Sequence, residues 1–537
     1  MNTQTDKHQL IIDAYLDITS ATRTRPTYAD FIKHGVTRDA IRTRFGGIEK
    51  LHQHMDSDYS DALSGMFLTL EQAFSEDKSV QTSGKRVFVV TTAVADSSPH
   101  SGFLAAMDTY SKARNAQLVI MPCESTTNSF QNKTAVFASV FNDPKYLFVS
   151  SDTHLNNNLS LCSIQVSAKQ IRPITGLSRI GNREGSFVFA STKQFLEFVP
   201  SGNKRGTNYS IMTTGACTLP QYYTDTFVSK RLSYIAEKDH TIGAIIVEIE
   251  DDNYFHFRQI QADVDGSFID LGTQYNPDGT TEQVNVNLIL GDLHGINVDG
   301  DALNAVVQLV RDMKVDRIFL HDTFDGYSVN HHVSTIAEKA MRASTDTSNL
   351  VWELRQTFDI VKTIDNAITP GEIVIVKSNH DEFLTRYLQE GRYVGDAENH
   401  YVSLLIARAL FENKDTLSYG FEVVGEPVPN HWTFLDRTSS YKIGDVECGS
   451  HGDLGLNGSK ASLATLEKVY GNCVIGHAHT AAIHRGVFRV GTTCKLDMGY
   501  NRGPTSWTHT SCLIYDNGQR QLVNVINGKC SISRPGE

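Results

Sequence analysis

Apolar residues recur at the spacing of an α-helix through the first part of the chain. They include Ile11, Ile12, Tyr15 and Leu16, and then Leu63, Met66, Phe67 and Leu70. Between these groups, Pro26-Thr27 is a typical helix start and Gly35 a typical stop, while Thr37 and Gly46-Gly47 repeat the same signals. Two short helices joined by a tight turn are typical of a helix-turn-helix. We therefore predict a helical, helix-turn-helix-like region over residues 1–80.

The pattern changes after a polar linker at residues 75–85. Short runs rich in β-branched residues, which are typical of strands, occur at 87–90, 118–121, 146–149, 187–189 and 242–249. Helix-like segments lie between them at 103–113 and 193–198. The turn-rich residues 276–282 indicate a second boundary. The sequence thus predicts a mixed α/β accessory domain over residues 85–280, whose role no motif indicates, and a further domain over residues 284–537.

Polar side chains of metal-ligand type follow successive strand-like runs in this last domain. Residues 284–290 lead into Asp292 and His294, residues 317–320 into Asp322 and Asp325, and residues 372–377 into Asn379 and His380. Further on, His451 lies in a glycine-bounded loop, and His477 and His479 follow a fourth apolar run. In α/β sheets, sites form at the carboxyl ends of the strands. Because carboxylate, imidazole and amide oxygen together suit Mn²⁺, Fe or Zn²⁺, we predict a metal centre at these loops.

These motifs in this order resemble the calcineurin-like metallophosphoesterase superfamily, with its pattern GDxHG, GDxxD, GNH(D/E), a lone His and GHxH. The resemblance covers about half of the chain and implies an α/β catalytic domain built on a β-sandwich flanked by helices. It also implies that one metal ion is held by Asp292, His294 and His479, that the other is held by Asn379, His451 and His477, and that Asp322 bridges both. The chain departs from the pattern at His321 and Ser378, each of which replaces a glycine.

The resemblance further implies a two-metal phosphoesterase. Two ions about 3.5–4 Å apart lower the pKa of a bridging water, and the resulting hydroxide attacks phosphorus in line with the leaving group. His380 resembles the histidine that acts as general acid, and Asp325 resembles the carboxylate that orients it. Mn²⁺ is the expected cofactor, with Fe, Zn²⁺ or Mg²⁺ as alternatives. His331 and His332 are candidate contacts to the substrate phosphate, with surface histidines as the alternative interpretation.

The N-terminal helices are a candidate DNA-binding module. Residues 21–50 contain seven basic residues against three acidic ones, although the whole chain has a net charge of −12. The local sequence is similar to the short helical DNA-binding repeats that accompany homing endonucleases. In this interpretation the helix from Thr37 to Arg44 enters a groove, where Arg38, Arg42 and Arg44 contact phosphates or bases. The alternative is a packing or oligomerisation module whose arginines face solvent.

We therefore expect a metal-dependent enzyme that cleaves DNA. The overall organisation also resembles that of the DNA-degrading nucleases made early in infection by tailed phages, which implies the host cytoplasm as the location and a homo-oligomeric assembly. Two other functions stay open: a phosphoprotein or nucleotide phosphatase with scaffold helices, and a non-catalytic DNA-binding or regulatory protein.

The amino-acid composition indicates the class of protein and its cellular compartment. With 40% hydrophobic and 20% charged residues, the chain is typical of a globular protein rather than of a disordered one. The eight cysteines include no C-x-x-C pair, which favours a reducing compartment over a disulfide scaffold. No run of eighteen apolar residues and no signal-peptide pattern occurs. We therefore expect a cytoplasmic protein without a membrane partner.

Overall fold

The computed structural model describes residues 3–74, 86–125, 130, 135–200, 208–222, 227–330, 337, 344, 349–368, 371–499, 501 and 503–531. The candidate phosphate contacts His331 and His332 lie outside these residues. Helices and mixed sheets alternate along the chain, and the prediction of an α/β protein is confirmed.

The helices and strands have the following bounds. The α-helices are Thr3–Thr22, Tyr28–Lys33, Arg38–Phe45, Ile48–Asp58, Ser60–Leu63, Leu70–Phe74, Ser101–Arg114, Ser178–Glu184, Phe227–Lys238, Gly300–Met313, Leu350–Asp365, Asp381–Gln389, His400–Glu412, Thr416–Val423 and Leu463–Tyr470. The strands are β1 (Phe67–Thr69), β2 (Val87–Val94), β3 (Gln117–Cys123), β4 (Val136–Ala138), β5 (Tyr146–Phe148), β6 (Thr153–Asn156), β7 (Leu159–Cys162), β8 (Ser186–Phe189), β9 (Phe195–Val199), β10 (Tyr209–Thr213), β11 (Gly243–Ile249), β12 (Phe255–Gln261), β13 (Phe268–Asp270), β14 (Thr273–Tyr275), β15 (Thr281–Gln283), β16 (Val286–Ile289), β17 (Arg317–Leu320), β18 (Glu372–Ile375), β19 (Trp432–Phe434), β20 (Lys442–Ile443), β21 (Val446–Glu447), β22 (Cys473–Ile475), β23 (Ala482–His484), β24 (Val487–Arg489), β25 (Thr510–Tyr515) and β26 (Arg520–Asn524).

The two short N-terminal helices begin and end as their capping signals predict. Thr27 and Asp30 form a reciprocal capping box at the start of the helix Tyr28–Lys33. The Thr37 side chain accepts a hydrogen bond from the backbone N–H of Ala40 at the start of the next helix. That helix ends at Gly46, whose φ of 78° is left-handed and therefore suits glycine. The predicted pair of short helices is confirmed.

Two sequence expectations of helix are wrong. The apolar pattern around Phe67 continues the helical spacing, but residues 67–69 form strand β1, which pairs antiparallel with β4. The pattern over residues 193–198 is helix-like, but Phe195–Val199 form strand β9 between β10 and β23. The partners β4 and β23 are distant in sequence, although β9 also pairs with the nearby β10. A short apolar run by itself does not distinguish helix from strand.

The last part of the chain contains a six-stranded sheet in the order β19-β18-β17-β16-β25-β26. Strands β16 to β19 are parallel to one another, whereas β25 pairs antiparallel with both β16 and β26. One face of this sheet packs against the helices Gly300–Met313 and Leu350–Asp365. The parallel arrangement places the carboxyl ends of β16, β17 and β18 at one edge.

A ten-stranded sheet faces the other side, in the order β20-β21-β22-β24-β23-β9-β10-β8-β7-β6. Residues of both sheets share one core, which includes Phe319 and Cys512 from the six-stranded sheet and Val188 and Val474 from the ten-stranded sheet. Strands from residues 153–213 and from residues 442–489 are joined in this sheet by the antiparallel pairing of β9 with β23. The accessory and C-terminal parts of the chain therefore share a β-sandwich.

The remaining strands form smaller sheets. A five-stranded sheet has the order β12-β11-β2-β3-β5 and packs on the helix Ser101–Arg114, and β13, β14 and β15 form a three-stranded sheet. In the part of the chain that the structure describes, no helix has both the length and the apolar character needed to cross a membrane.

Candidate metal centre

The first predicted ligands lie in loops at the carboxyl ends of adjacent parallel strands. Asp292 and His294 follow β16, Asp322 follows β17 and Asn379 follows β18. The backbone N–H of His294 donates to the carbonyl of Asp322 at 2.7 Å, and this bond fixes the first loop against the second. The loop positions therefore depend on backbone pairing that continues past the strands.

The ten-stranded sheet supplies the other predicted ligands. His451 follows β21, and His477 and His479 follow β22, which is parallel to β21. The N–H of Gly476 donates to the carbonyl of His451 at 2.8 Å, so these two loops are also joined. Because the two sheets face each other, the centre is assembled from both layers of the sandwich.

Four of these residues have an unusual backbone conformation. His294, Asp322, His477 and His479 have φ values of 46°, 44°, 76° and 56°. Left-handed φ is rare for residues other than glycine and costs about 1–3 kcal/mol each, and such residues cluster at functional sites. The surrounding structure therefore holds these side chains in place at the expense of backbone strain.

Two buried groups of three side chains share Asp322. One contains His294, Asp322 and His479, and the other contains Asp292, Asp322 and His451. In the first, His294 Nε2 lies 3.4 Å from Asp322 Oδ2 and 3.0 Å from His479 Nε2. In the second, His451 Nε2 lies 3.3 Å from the same Asp322 Oδ2. Within each group the possible ligand atoms lie within 4.8 Å of one another, so each group could hold a metal ion.

The remaining two predicted ligands lie beside the second group. His477 Nδ1 is 3.1 Å from Asn379 Oδ1, and the His477 and His451 ring centroids are 5.3 Å apart. The structure thus brings together all seven side chains expected to hold metal ions.

The chemistry of these side chains fits a divalent cation. Both carboxylate oxygens of Asp292 and Oδ1 of Asp322 are buried without a hydrogen bond among the described residues. Buried polar atoms are almost always satisfied, and a buried carboxylate needs a positive partner. Burial, reinforced by the charge of Asp322, raises the pKa of Asp292 to about 7. A cation between the two carboxylates would remove this repulsion.

Protonated histidines balance part of the negative charge of the Asp292 and Asp322 carboxylates. Burial favours neutral His451, but Asp322 and Asp292 outweigh it and raise its pKa to about 9. Burial likewise opposes ionisation of Asp322, but His451, His380 and His294 hold its pKa well below the usual range. Imidazole binds metal in its neutral form, so a bound cation would replace these imidazolium charges.

His380 and Asp325 lie next to the first group. The Asp325 carboxylate is 2.9 Å from His294 Nδ1, while its backbone carbonyl is 2.7 Å from His380 Nδ1. The rings of His380 and His294 meet edge to face, with centroids 4.6 Å apart. The carboxylate therefore orients the candidate ligand His294, and the carbonyl rather than the carboxylate orients His380.

Two side chains that the motifs do not assign to the centre also lie in it. The Trp507 ring packs against the ring of His479 with centroids 4.2 Å apart. Fully buried His321 replaces the motif glycine, and its Nδ1 is 3.4 Å from Nδ1 of His451. The departure of His321 from the motif is a signal that could have drawn attention to it. Trp507 lies far along the chain in a segment without a motif.

Ser378, the other replacement of a motif glycine, has a structural role. Its hydroxyl donates to Asp381 Oδ2 at 2.8 Å, and Asp381 Oδ1 accepts from the backbone N–H of Phe324 at 2.9 Å. These bonds connect the loop after β18 with the loop after β17. They hold His380 and Asp322 in a fixed relation.

The candidate DNA-contacting arginines lie on the helix Arg38–Phe45. The Arg38 guanidinium packs over the Tyr28 ring at 4.8 Å from its centroid, so part of this side chain faces the protein. Arg42 is exposed and Arg44 is half-buried. Their helix starts with Thr37 as predicted, and Arg42 extends furthest into solvent.

The fold and the buried His/Asp groups define a mixed α/β protein with a candidate metal centre. No family model matches the chain. The chain is 32% identical over 476 residues to Protein A1 of Escherichia phage T5, an alignment that covers 83% of each protein. The protein therefore belongs to the same family as phage T5 Protein A1.

Proposed function

We propose that the protein is a two-metal phosphodiesterase whose substrate is DNA. The observation that carries this proposal is the sharing of Asp322 by two buried groups of possible ligands. A shared carboxylate is how binuclear sites hold two ions about 3.5–4 Å apart, the spacing that suits in-line displacement at phosphorus. The resemblance of the motifs to calcineurin-like metallophosphoesterases supports the same reaction class.

The proposed reaction assigns a separate set of ligands to each metal ion. As the motif resemblance implies, Asp292, His294 and His479 would hold one ion, Asn379, His451 and His477 the other, and Asp322 both. Asp292 belongs to the buried group with His451, but its Oδ2 also lies 3.3 Å from His479 Nε2. Bound divalent ions supply Lewis acidity at the phosphate oxygens and a water nucleophile near neutral pH, and Mn²⁺ is the ion we propose, with Fe, Zn²⁺ or Mg²⁺ as alternatives.

His380 is the proposed general acid. With Nδ1 held by the Asp325 carbonyl, its Nε2 is the nitrogen left to carry a proton to the leaving oxygen. Asp325 also holds His294 through its carboxylate, so one residue positions both a candidate ligand and the acid.

The choice of DNA over a phosphomonoester is supported by the N-terminal helices. Their sequence resembles DNA-binding repeats, and exposed Arg42 on the helix Arg38–Phe45 is suited to contact phosphate. Release of counterions from DNA would supply affinity even though the whole chain is acidic. We further propose that the protein acts as a homo-oligomer in the host cytoplasm, as the resemblance to early phage nucleases implies.

The test starts from protein stripped of metal and resupplied with Mn²⁺, Mg²⁺, Fe²⁺ or Zn²⁺. Each form is incubated with linear and closed-circular duplex DNA and, in parallel, with p-nitrophenyl phosphate and a phosphopeptide. We expect Mn²⁺ to give DNA cleavage: loss of both DNA forms identifies an endonuclease and loss of the linear form alone an exonuclease. Intact DNA beside rapid phosphomonoester hydrolysis would instead identify a phosphatase, and DNA binding without any hydrolysis a regulatory protein.

A further inference from the structure

A cavity of about 280 Å³ lies next to the candidate metal centre, between the ten-stranded sheet and the last strands of the chain. Its walls come from β8, β9, β10 and β12 on one side and from residues 496–526 on the other. This volume is close to the lower end of the range for small-molecule sites, about 300–1,000 Å³. The cavity therefore has room for a small ligand and not for a folded chain.

The walls of the cavity are aromatic and amide-rich. Its aromatic side chains are Phe198, Tyr209, Tyr254, Phe255, Phe257 and Trp507. Asn158, Asn208, Asn253 and Asn524 also line it, and none of the described lining residues is Asp, Glu, Lys or Arg. Aromatic rings stack on nucleobases of any sequence, and asparagine amides match the donor and acceptor edges of bases. The cavity thus suits an uncharged heteroaromatic ring better than a phosphate or an acidic ligand.

Two buried polar groups at this cavity lack a hydrogen-bond partner in the described part of the chain. Ser210 Oγ and Asn524 Nδ2 make no hydrogen bond with any described residue, although these residues are only 1% and 6% exposed. Asn524 Oδ1 is already engaged by the Thr510 hydroxyl at 2.7 Å, which leaves the amide nitrogen as a free donor. Both atoms are themselves buried in the wall and not exposed in the cavity, so a ligand would reach them only after a small movement of the wall.

Trp507 connects the cavity to the metal centre. It lines the cavity, and its ring also contacts the ring of His479, one of the candidate ligands. The Asn208 side chain donates to the Trp507 carbonyl at 2.8 Å, and the N–H of the adjacent Thr508 donates to the His479 carbonyl at 2.9 Å. The side chain of Trp507 therefore lies between the cavity and the candidate ligand His479.

We propose that this cavity binds one nucleobase of the DNA strand being cleaved, turned out of its stack so that its phosphate lies at the metal ions. The inference rests on the proposed function, since it names the part of the same substrate that the cavity takes. Enzymes that turn out a base recover the unstacking cost by stacking it between aromatic side chains and by hydrogen bonds to its edge. Tyr254 or Trp507 would supply the stacking, and the asparagine side chains that line the cavity would supply the hydrogen bonds.

The test compares two cavity variants with the wild type on three substrates. Tyr254→Ala removes a partly exposed ring, and Ser210→Leu fills the cavity. Tyr401→Ala is the matched control, because Tyr401 is a 75% exposed tyrosine outside the cavity lining. The substrates are a single-stranded oligodeoxynucleotide, an abasic tetrahydrofuran phosphodiester chain of equal length, and bis(p-nitrophenyl) phosphate.

We expect the wild type to cleave the oligodeoxynucleotide faster than the abasic chain. Both cavity variants should lower kcat/KM on the oligodeoxynucleotide by about 5- to 150-fold, the effect of losing one base–aromatic stack. They should bring that rate close to the rate on the abasic chain, whereas Tyr401→Ala should keep the wild-type preference. Equal cleavage of the oligodeoxynucleotide by the wild type and by folded Tyr254→Ala and Ser210→Leu proteins would overturn the base site.

A binding measurement separates failure of this inference from failure of the proposed function. Deoxynucleosides are titrated into metal-free wild-type protein and into the Ser210→Leu variant, with tryptophan fluorescence as the signal. Saturable nucleoside binding by the wild type but not by the variant would support the base site. If the same protein hydrolyses bis(p-nitrophenyl) phosphate but not DNA, the proposed nuclease activity would be contradicted. DNA cleavage that the cavity variants leave unchanged would contradict only the base site. Absence of both nucleoside binding and DNA cleavage would overturn both.

Discussion

At the residue scale, Asp322 is the side chain on which the candidate centre depends most. It belongs to both groups of possible ligands, and its Oδ2 lies within 3.4 Å of His294 Nε2 and 3.3 Å of His451 Nε2. His294 also belongs to two groups, the second with Asp325 and His380, but Asp322 is the residue shared by the two groups proposed to hold the ions. A change at Asp322 should therefore affect both ions, and a change at His380 should affect neither.

Asp322→Ala should abolish metal-dependent turnover and lower the bound metal by more than one ion per chain. Loss of the carboxylate removes a ligand of both ions, although His294 keeps Asp325 and His451 keeps Asp292 as negative neighbours. Metal content by atomic emission and activity on bis(p-nitrophenyl) phosphate are the measurements. The control is Asp301→Ala, which removes an exposed carboxylate in the first turn of the helix Gly300–Met313. Full activity of Asp322→Ala would refute the site assignment.

His380→Ala should keep its metal and lose about 10²- to 10⁴-fold in the rate of DNA cleavage, the scale of general acid catalysis. The loss on bis(p-nitrophenyl) phosphate should be smaller, because p-nitrophenolate leaves with little need of a proton. The ratio of the two losses is therefore the diagnostic measurement. Equal losses on both substrates, or a loss of bound metal, would assign His380 a different role.

At the element scale, capping and strand ends were predictable from the sequence because their causes are local. Thr27, Thr37 and Gly46 act on their own helix ends, and the prediction of both short helices is confirmed. The loops after β16, β17 and β18 were predictable for a similar reason, since an apolar run followed by Asp292 or Asn379 marks a strand end. Strand β9 was not predicted, although its partner β10 is close in sequence; its other partner, β23, lies almost 300 residues further along the chain.

The same distinction applies to the candidate centre. The motif order indicated seven possible ligands, and the structure brings these side chains together. The packing of Trp507 on His479 and the contact of the Asp325 carboxylate with His294 depend on tertiary structure that no local pattern contains. The left-handed backbone at Asp322 and His477 also follows from the surrounding loops, although Asp and His adopt it more readily than most other residues with a side chain.

The helix Arg38–Phe45 is the element whose role in DNA binding can be tested directly. The double variant Arg42→Gln/Arg44→Gln should weaken DNA binding and reduce the slope of log K against log salt by about one for each phosphate that the variant no longer neutralises. Fluorescence anisotropy of labelled duplex DNA at several salt concentrations measures both quantities. Lys112→Gln, which removes an exposed charge from the helix Ser101–Arg114, should leave the slope unchanged. An unaltered slope in the double variant would favour the packing or oligomerisation module.

At the scale of the whole molecule, a buried ionic network joins the accessory and C-terminal parts of the chain. Arg258 on β12 donates to Asp270 Oδ1 at 2.8 Å and to Glu248 Oε1 at 2.9 Å. Gln521 on β26 donates to the same Asp270 oxygen at 2.8 Å. Arg258, Glu248 and Asp270 are at most 1% exposed, so the charges depend on one another and not on solvent.

Asp270→Ala should lower the free energy of unfolding by about 3–5 kcal/mol, because it leaves two buried arginines, Arg258 and Arg114, to share the single carboxylate of Glu248. The midpoint of urea denaturation, followed by circular dichroism, measures the change. Asp252→Asn alters an exposed carboxylate between β11 and β12 and should have little effect. A midpoint for Asp270→Ala equal to that of the wild type would show that the network does not contribute to stability.

The pairing of β9 with β23 has a consequence for how this protein can be divided. A fragment that begins at residue 284 would lack β9, so the backbone donors and acceptors along one side of β23 would face solvent. Such an open edge is a template for pairing with another copy, and fragments of this kind aggregate. We therefore expect residues 153–213 to be inseparable from the C-terminal half, and a truncation between the two to yield insoluble protein instead of a smaller folded unit.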